Sequence, residues 1–193
     1  MGASVLYMSM SVDGYIAAPN DGPGNPGGDG FIRLHEWGLT PAGEHRRDGI
    51  AGRFNDEYDA TGALVVGRRT AEQAGYWGGD HHGGVPIFVL SRRPPDPAVV
   101  QHPLVTYVTD GIESAMSRAS AAAGDRDVLV QGGYTARRAL EAGVLDEMQI
   151  HQVPVLFGAG RRLFDVLPAR IELEILRVVD TPEATHLRYR VRR

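Results

Sequence analysis

The chain has 193 residues, 42% of them hydrophobic, a net charge of −4 and no cysteine. That size and apolar share suffice to bury a core as a single domain spanning residues 1–193, and the missing cysteines exclude disulfides, thiolate nucleophiles and cysteine-ligated metals. The acidic balance excludes a nucleic-acid partner unless a strong basic patch offsets it, and the cationic side chains, all Arg, fall instead mostly in scattered pairs from Arg46-Arg47 to Arg192-Arg193.

Met1–Met10 lacks the basic start of a signal peptide. No apolar run approaches the roughly 18 residues that span a bilayer, so a cytoplasmic protein without a membrane partner is expected. Val5–Ser11 reads as a first strand. Residues 19–45 read as a flexible loop insertion whose first part, Pro19–Gly30, is PNDGPGNPGGDG, with no apolar period. Such a segment is either a surface excursion or a mobile flap over a site. Asp48–Ala60 reads as a helix, with Asp48 the candidate N-cap and Ile50, Phe54 and Tyr58 on one face. Ala63–Gly67 is a short apolar strand, followed by a short helix over Arg69–Gly75. Pro86–Ser91 and Val105–Thr109 are further strands and Ile112–Ala123 a helix. Asp127–Gln131 is a strand, and Thr135–Gly143 a helix closed by glycine. Glu147–Leu156 is a strand, and Ile171–Val179 and Thr185–Arg192 form a closing antiparallel pair around Thr181-Pro182. Short apolar strands alternating with helices predict an α/β fold, with a mostly parallel, helix-flanked sheet and an antiparallel C-terminal edge.

In such sheets ligands gather at the C-terminal ends of strands, and three of those ends carry chemistry. Gly67-Arg68-Arg69-Thr70 offers a close backbone approach, free helix N–H groups, two guanidinium groups and a hydroxyl; it reads either as an anion site or as a capped helix with solvated arginines. Ser91-Arg92-Arg93 suits a terminal phosphate such as the 2′-phosphate of NADP, or is a polar turn before Pro94-Pro95. Gln131-Gly132-Gly133-Tyr134-Thr135 permits positive φ and a tight approach to a pyrophosphate, without being the GxGxxG dinucleotide fingerprint. Each turn alone is weak evidence. Three on three strands point to a phosphate-rich cofactor.

The same residues resemble the dihydrofolate-reductase-like family, and within it the reductase domain of the bifunctional riboflavin-biosynthesis deaminase/reductase. The resemblance rests on Met10–Ala17 (MSVDGYIA), Gly67-Arg68-Arg69-Thr70 with Tyr76-Trp77, and Val128–Gly133 (VLVQGG). It rests most on Leu140–Glu147 (LEAGVLDE) running on to Pro154–Gly160 (PVLFGAG). It implies a twisted sheet of about eight strands that binds NADPH, with nicotinamide near Ile16 and Ala17. The phosphates would lie on Gly67–Thr70, Ser91–Arg93 and Gly132–Thr135, in a homodimer. It further implies hydride transfer to a small pyrimidine- or pterin-like ring or a carbonyl. Folate-reducing members carry a carboxylate on the helix before the Gly-Arg-x-Thr strand, roughly where Ala51 falls here. The alternative is an NADPH-binding sensor or scaffold of the same fold that performs no turnover.

Asp13, in the turn after the first strand, is the one candidate catalytic residue; it either orients substrate and relays a proton or serves turn geometry. His81-His82 lacks a nearby third ligand, so no metal is expected. Trp37 and Trp77 are either ring-stacking residues or core anchors. His151 reads as a buried structural histidine, or one facing the substrate.

Overall fold

The computed structural model describes residues 2–95, 101–167 and 169–192; Arg193, which ends the last Arg pair, lies outside them. In chain order the elements are β1 (Ser4–Ser11), β2 (Tyr15–Ala17), α1 (Gly49–Asp59), β3 (Ala63–Gly67), α2 (Arg68–Gln73), β4 (Ile87–Leu90), β5 (Val105–Val108), α3 (Ile112–Ala123), β6 (Val128–Gln131), α4 (Gly133–Glu141), β7 (Glu147–Val153), β8 (Arg161–Arg162), β9 (Leu173–Asp180) and β10 (Thr185–Val191). Eight strands hydrogen-bond in the order β5-β4-β3-β6-β1-β7-β10-β9, and β2 pairs with β8. The expected α/β sheet is therefore present, parallel from β5 to β1 and antiparallel along β7, β10 and β9. Contacts divide the chain into two compact units, residues 1–6 with 61–146, and residues 7–60 with 147–193.

The first unit holds the parallel strands. ALVVG in β3 and IFVL in β4 are buried at every position, as continuous apolar runs must be when both faces of a parallel sheet are covered. Helix α3 presents Ile112, Ala115, Met116, Ala119 and Ala123, spaced three and four apart, to β3 and β4. Ends shift from expectation where local chemistry intervenes. Helix α2 stops at Gln73, two residues early, because Gly75 turns to φ +56° and opens a tight turn through Gly79 in which Tyr76 and Trp77 also take φ +52°.

The second unit contains α1 and the antiparallel strands. Asp48 stands at the N-cap as expected, but its carboxylate makes no capping bond and lies beside Arg46. Strand β7 ends at Val153 rather than Leu156, since Pro154 has no N–H for the ladder. The 19–45 segment contains 3-10 turns at Phe31–Leu34 and Glu36–Gly38, which bury Leu34 and Trp37. The two-residue strand β8 and three-residue β2 carry no readable period. No helix among the described residues is long and apolar enough to cross a membrane.

His151 on β7 faces His186 on β10 with Nδ1 atoms 2.5 Å apart. Trp37 stacks on His151 at 4.0 Å and Phe54 on His186 at 4.4 Å. Burial, then the neighbouring His186, holds His151 well below its ordinary value. Burial and the nearby Arg177 push His186 from 6.5 down to about 4. In the unfolded chain both rings take a proton as pH falls through about 6.5, whereas in the folded chain His186 stays neutral to about 4 and burial keeps His151 neutral well below its ordinary value. The unfolded state thus binds more protons in this window. Stability is full above pH 6.5 and is lost as pH falls toward 4, by about 1.4 kcal/mol per pH unit for each histidine that stays neutral. Thermal melts are expected to show a constant Tm from pH 7.5 to about 6.5 and a falling Tm from there to pH 4.5; a flat Tm to pH 5 contradicts this.

Candidate functional site

In the first unit, β4, β3 and β6 are parallel neighbours, and their registers align the three turns. Gly67 is level with Leu90, and Val66 with Gln131. Ser91, Gly67 and Gly132 therefore leave the sheet side by side, across about 10 Å at a strand spacing of about 4.8 Å. A β-carbon on Gly67 would stand 3.2 Å from the Thr135 hydroxyl, and one on Gly132 would stand 3.1 Å from that of Thr70. Each turn's glycine thus makes room for the other turn's threonine. Gly132, the residue before α4, also takes φ +88° and ψ 144°, a glycine-favouring conformation that costs other residues about 1–3 kcal/mol.

Thr135 is fully buried, and its Oγ1 has no hydrogen-bond partner. An unpaired buried hydroxyl costs about 1–3 kcal/mol, and here it lies in the first turn of the nine-residue α4, where the helix dipole favours an anion. The glycine cradle and this orphaned donor fit a pyrophosphate. Arg68 is held by Glu72 at 2.8 Å; Arg69 is exposed. At the third turn, the Ser91 hydroxyl donates to the Arg93 carbonyl (2.8 Å) and accepts from the Arg93 amide (3.0 Å). Its donor is thus engaged in shaping the turn, while Arg92 and Arg93 project as exposed cations. Among the described residues no carboxylate pairs with either. Gln131 and Gly133 flank Gly132, and Tyr134 is exposed.

Asp13, Ile16 and Ala17 belong to the second unit. The Asp13 carboxylate accepts from the Ser11 hydroxyl (2.5 Å), the Phe157 amide (3.2 Å) and the Gly158 amide (2.8 Å). These bonds, the Ser11 hydroxyl first, hold it below its ordinary carboxylate value. It is an ionised tie between the β1–β2 turn and the 157–158 loop. Ile16 and Ala17 sit on β2 against β8, with Gly160 so close that a β-carbon there would lie 2.0 Å from the Ala17 carbonyl oxygen. Phe157, Gly158 and Gly160 were not singled out as site residues, although all stand in the PVLFGAG motif; their role is carried by backbone, which leaves no mark of side-chain chemistry.

On α1, Ala51 is partly exposed, and the acids the helix carries are engaged. Glu57 binds Arg177 through both oxygens at 2.6 Å, and Asp56 faces Arg47 at 3.4 Å. Asp48 is largely in solvent. Among the described residues no group of His, Asp or Glu is arranged to hold a metal.

The family model described as the RibD C-terminal domain matches residues 5–187. An uncharacterized protein of Bacillus subtilis, YwjB, is 24% identical, with 96% of each chain covered. Among solved structures, a putative riboflavin biosynthesis protein from Shewanella sp. PV-4 aligns over 99% of both chains at 23% identity and a TM-score of 0.76. Dihydrofolate reductase from Enterococcus faecalis, solved in complex with NADP(H), aligns over 98% of this chain and 96% of its own at 18% identity and a TM-score of 0.59. The fold is of the dihydrofolate-reductase type.

Proposed function

The chain belongs to the RibD C-terminal domain family, and from that premise we propose that it is an NADPH-dependent reductase of a small heterocyclic or carbonyl substrate. The observation that carries the reading is the buried, unpartnered Thr135 hydroxyl set between two glycine-led turns. NADPH supplies the hydride, and the protein supplies alignment and exclusion of water. Gly67 and Gly132 admit the pyrophosphate to the backbone, Thr135 donates its hydroxyl proton to a phosphate oxygen, and α4 directs its positive end there. Arg92 and Arg93 hold the 2′-phosphate in a turn that Ser91 shapes. Arg68, Arg69, Thr70, Gln131, Gly133 and Tyr134 complete the phosphate-side wall, and Ile16 and Ala17 are the nicotinamide-side residues of this reading.

Asp13, held ionised, is a poor proton donor; it orients its turn, and a water molecule delivers the proton to the reduced ring. The homodimer that the resemblance implies is retained as part of this reading. The test is NADPH oxidation by the purified chain against a panel of pterins, flavin precursors, dihydrouracils and small ketones. Saturable oxidation with one of them supports the proposal. The position of Ala51 keeps alive the second reading, a protein that binds NADPH without turnover, and binding with no oxidation across the panel would favour it.

Dihydrofolate is expected to be a poor substrate. Protonating its ring nitrogen requires a nearby acid or an ordered water, and Ala51 stands where a carboxylate is wanted, while Glu57 is committed to Arg177. Efficient dihydrofolate turnover would contradict this and make Glu57 the residue to replace first.

A further inference from the structure

The interior of the second unit is polar where an apolar packing face is expected. Tyr7, Ser9 and Ser11 alternate onto one face of β1, and Gln149 and His151 onto one face of β7. The Tyr7 and His151 rings meet at 4.6 Å, so the two rows share a side, and the Tyr7 hydroxyl donates to the Phe54 carbonyl of α1 (2.8 Å). All five residues are buried. Two of their polar atoms, Gln149 Nε2 and His151 Nε2, have no hydrogen-bond partner among the described residues. Turning the Gln149 amide over does not help, because its Oε1 accepts from Arg177 (2.9 Å). Buried polar atoms are nearly always paired, and exceptions call for a cause. The side chain that covers this face comes from a loop. Trp37, on the single 3-10 turn Glu36–Gly38, stacks on His151 at 4.0 Å and 25° from parallel. It meets His186 edge-on at 4.9 Å and donates its Nε1 proton to the Ser9 hydroxyl (2.9 Å). An indole has one polar atom, and that bond uses it, so the indole satisfies neither orphan.

We propose that Trp37 is an internal occupant of a ring-binding site, and that a flat fused heterocycle with a ring N–H and an acceptor atom displaces it. Such a ring repeats the two contacts the indole makes, stacking on His151 and giving an N–H to Ser9. It adds what the indole lacks, an acceptor for the Gln149 Nε2 donor. Gln149 stands about 7 Å along β7 from His151, a span suited to two fused rings rather than one. The idea deepens the reductase reading by choosing the fused heterocycle over the open carbonyl, and rests on that reading only for the ring's later reduction. The indole is placed to leave without its backbone. The Gly38 carbonyl beside it accepts from the Asn55 side chain of α1 and from the Arg46 amide, both at 2.9 Å, so the turn stays while the indole rotates about its own side-chain bonds. That rotation gives up a stacking contact and a hydrogen bond, and the incoming ring restores both. A site open in only a fraction of molecules binds with its affinity reduced by that fraction, so Trp37 sets how tightly and how fast the ring enters.

The chain has two tryptophans, so a Trp77→Phe chain reports Trp37 alone. The test adds pterin, and separately uracil, to this cofactor-free chain and to the same chain with Trp37→Ser. Pterin is expected to move the Trp37 emission to the red as the indole enters water, at a rate that levels off with pterin concentration because opening limits it. Calorimetry is expected to show the Trp37→Ser chain binding pterin about tenfold or more tighter than its parent, with uracil weaker than pterin in both. Pterin binding that leaves the Trp37 emission unchanged, or a folded Trp37→Ser chain that binds no tighter than its parent, overturns the proposal and makes Trp37 a core anchor. If circular dichroism shows the serine chain unfolded, the emission and rate of its parent decide alone. Uracil binding as tight as that of pterin overturns the fused-ring assignment. Absence of pterin binding overturns the proposal; where the chain still oxidises NADPH with a small ketone, the reductase reading survives it. Pterin-driven release of Trp37 in a chain that binds no NADPH has the reverse meaning.

Discussion

An Arg92→Ala, Arg93→Ala double variant is expected to lose NADPH affinity by about tenfold to several hundredfold while keeping its NADH affinity. The two cofactors differ by a 2′-phosphate of nearly two negative charges. A hydrogen bond to a charged group contributes about 1.5–3 kcal/mol net, and about 1.4 kcal/mol is tenfold in affinity. Both guanidinium groups are exposed at the end of β4, with the turn beneath them fixed by the two Ser91–Arg93 bonds. Their exposure argues for the lower part of that range, because solvent screens each contact. NADH offers them nothing to hold, so its affinity is an internal control. Equal losses for the two cofactors, or no loss for either, would identify these residues as a solvated turn.

Thr135→Val is expected to separate stability from binding. The valine is close in shape and removes a hydroxyl that has no partner in the free protein. Since an unpaired buried hydroxyl costs about 1–3 kcal/mol, its replacement by a methyl group is neutral or stabilising, and Tm is expected to hold or rise. NADPH affinity is expected to fall about ten- to 150-fold, the equivalent of one hydrogen bond to a phosphate at about 1.5–3 kcal/mol. NADH, which carries the same pyrophosphate, is expected to lose as much. This pattern is the opposite of that at Arg92 and Arg93, so the two experiments place two different phosphates. A Thr135→Val protein that is destabilised and binds as tightly as wild type would mean that the hydroxyl has a structural role only.

The parallel half of the fold was legible because its strands are buried on both faces and so read as unbroken apolar runs, as in ALVVG and IFVL. The three phosphate-suited turns were legible for a related reason: each follows such a run directly. Hidden was the way they meet. Gly67 faces Thr135, and Gly132 faces Thr70, pairings set by the register of β3 against β6, which leaves no trace along the chain. The role of Asp13 was similarly hidden, since two of its three hydrogen bonds come from backbone amides 144 and 145 residues away. Strands β2 and β8 are too short to show a period. His151 was foreseen as buried, but its partner His186 was not, because a cross-strand neighbour on β10 depends on the β7–β10 pairing.

The most direct test is titration of the purified, cofactor-free chain with NADPH and, separately, with NADH. Saturable binding of one NADPH per chain is expected, tighter than NADH by about tenfold or more and weakened by Thr135→Val. Absence of NADPH binding at millimolar concentration, in a protein whose circular dichroism shows it folded, would contradict the account at its centre.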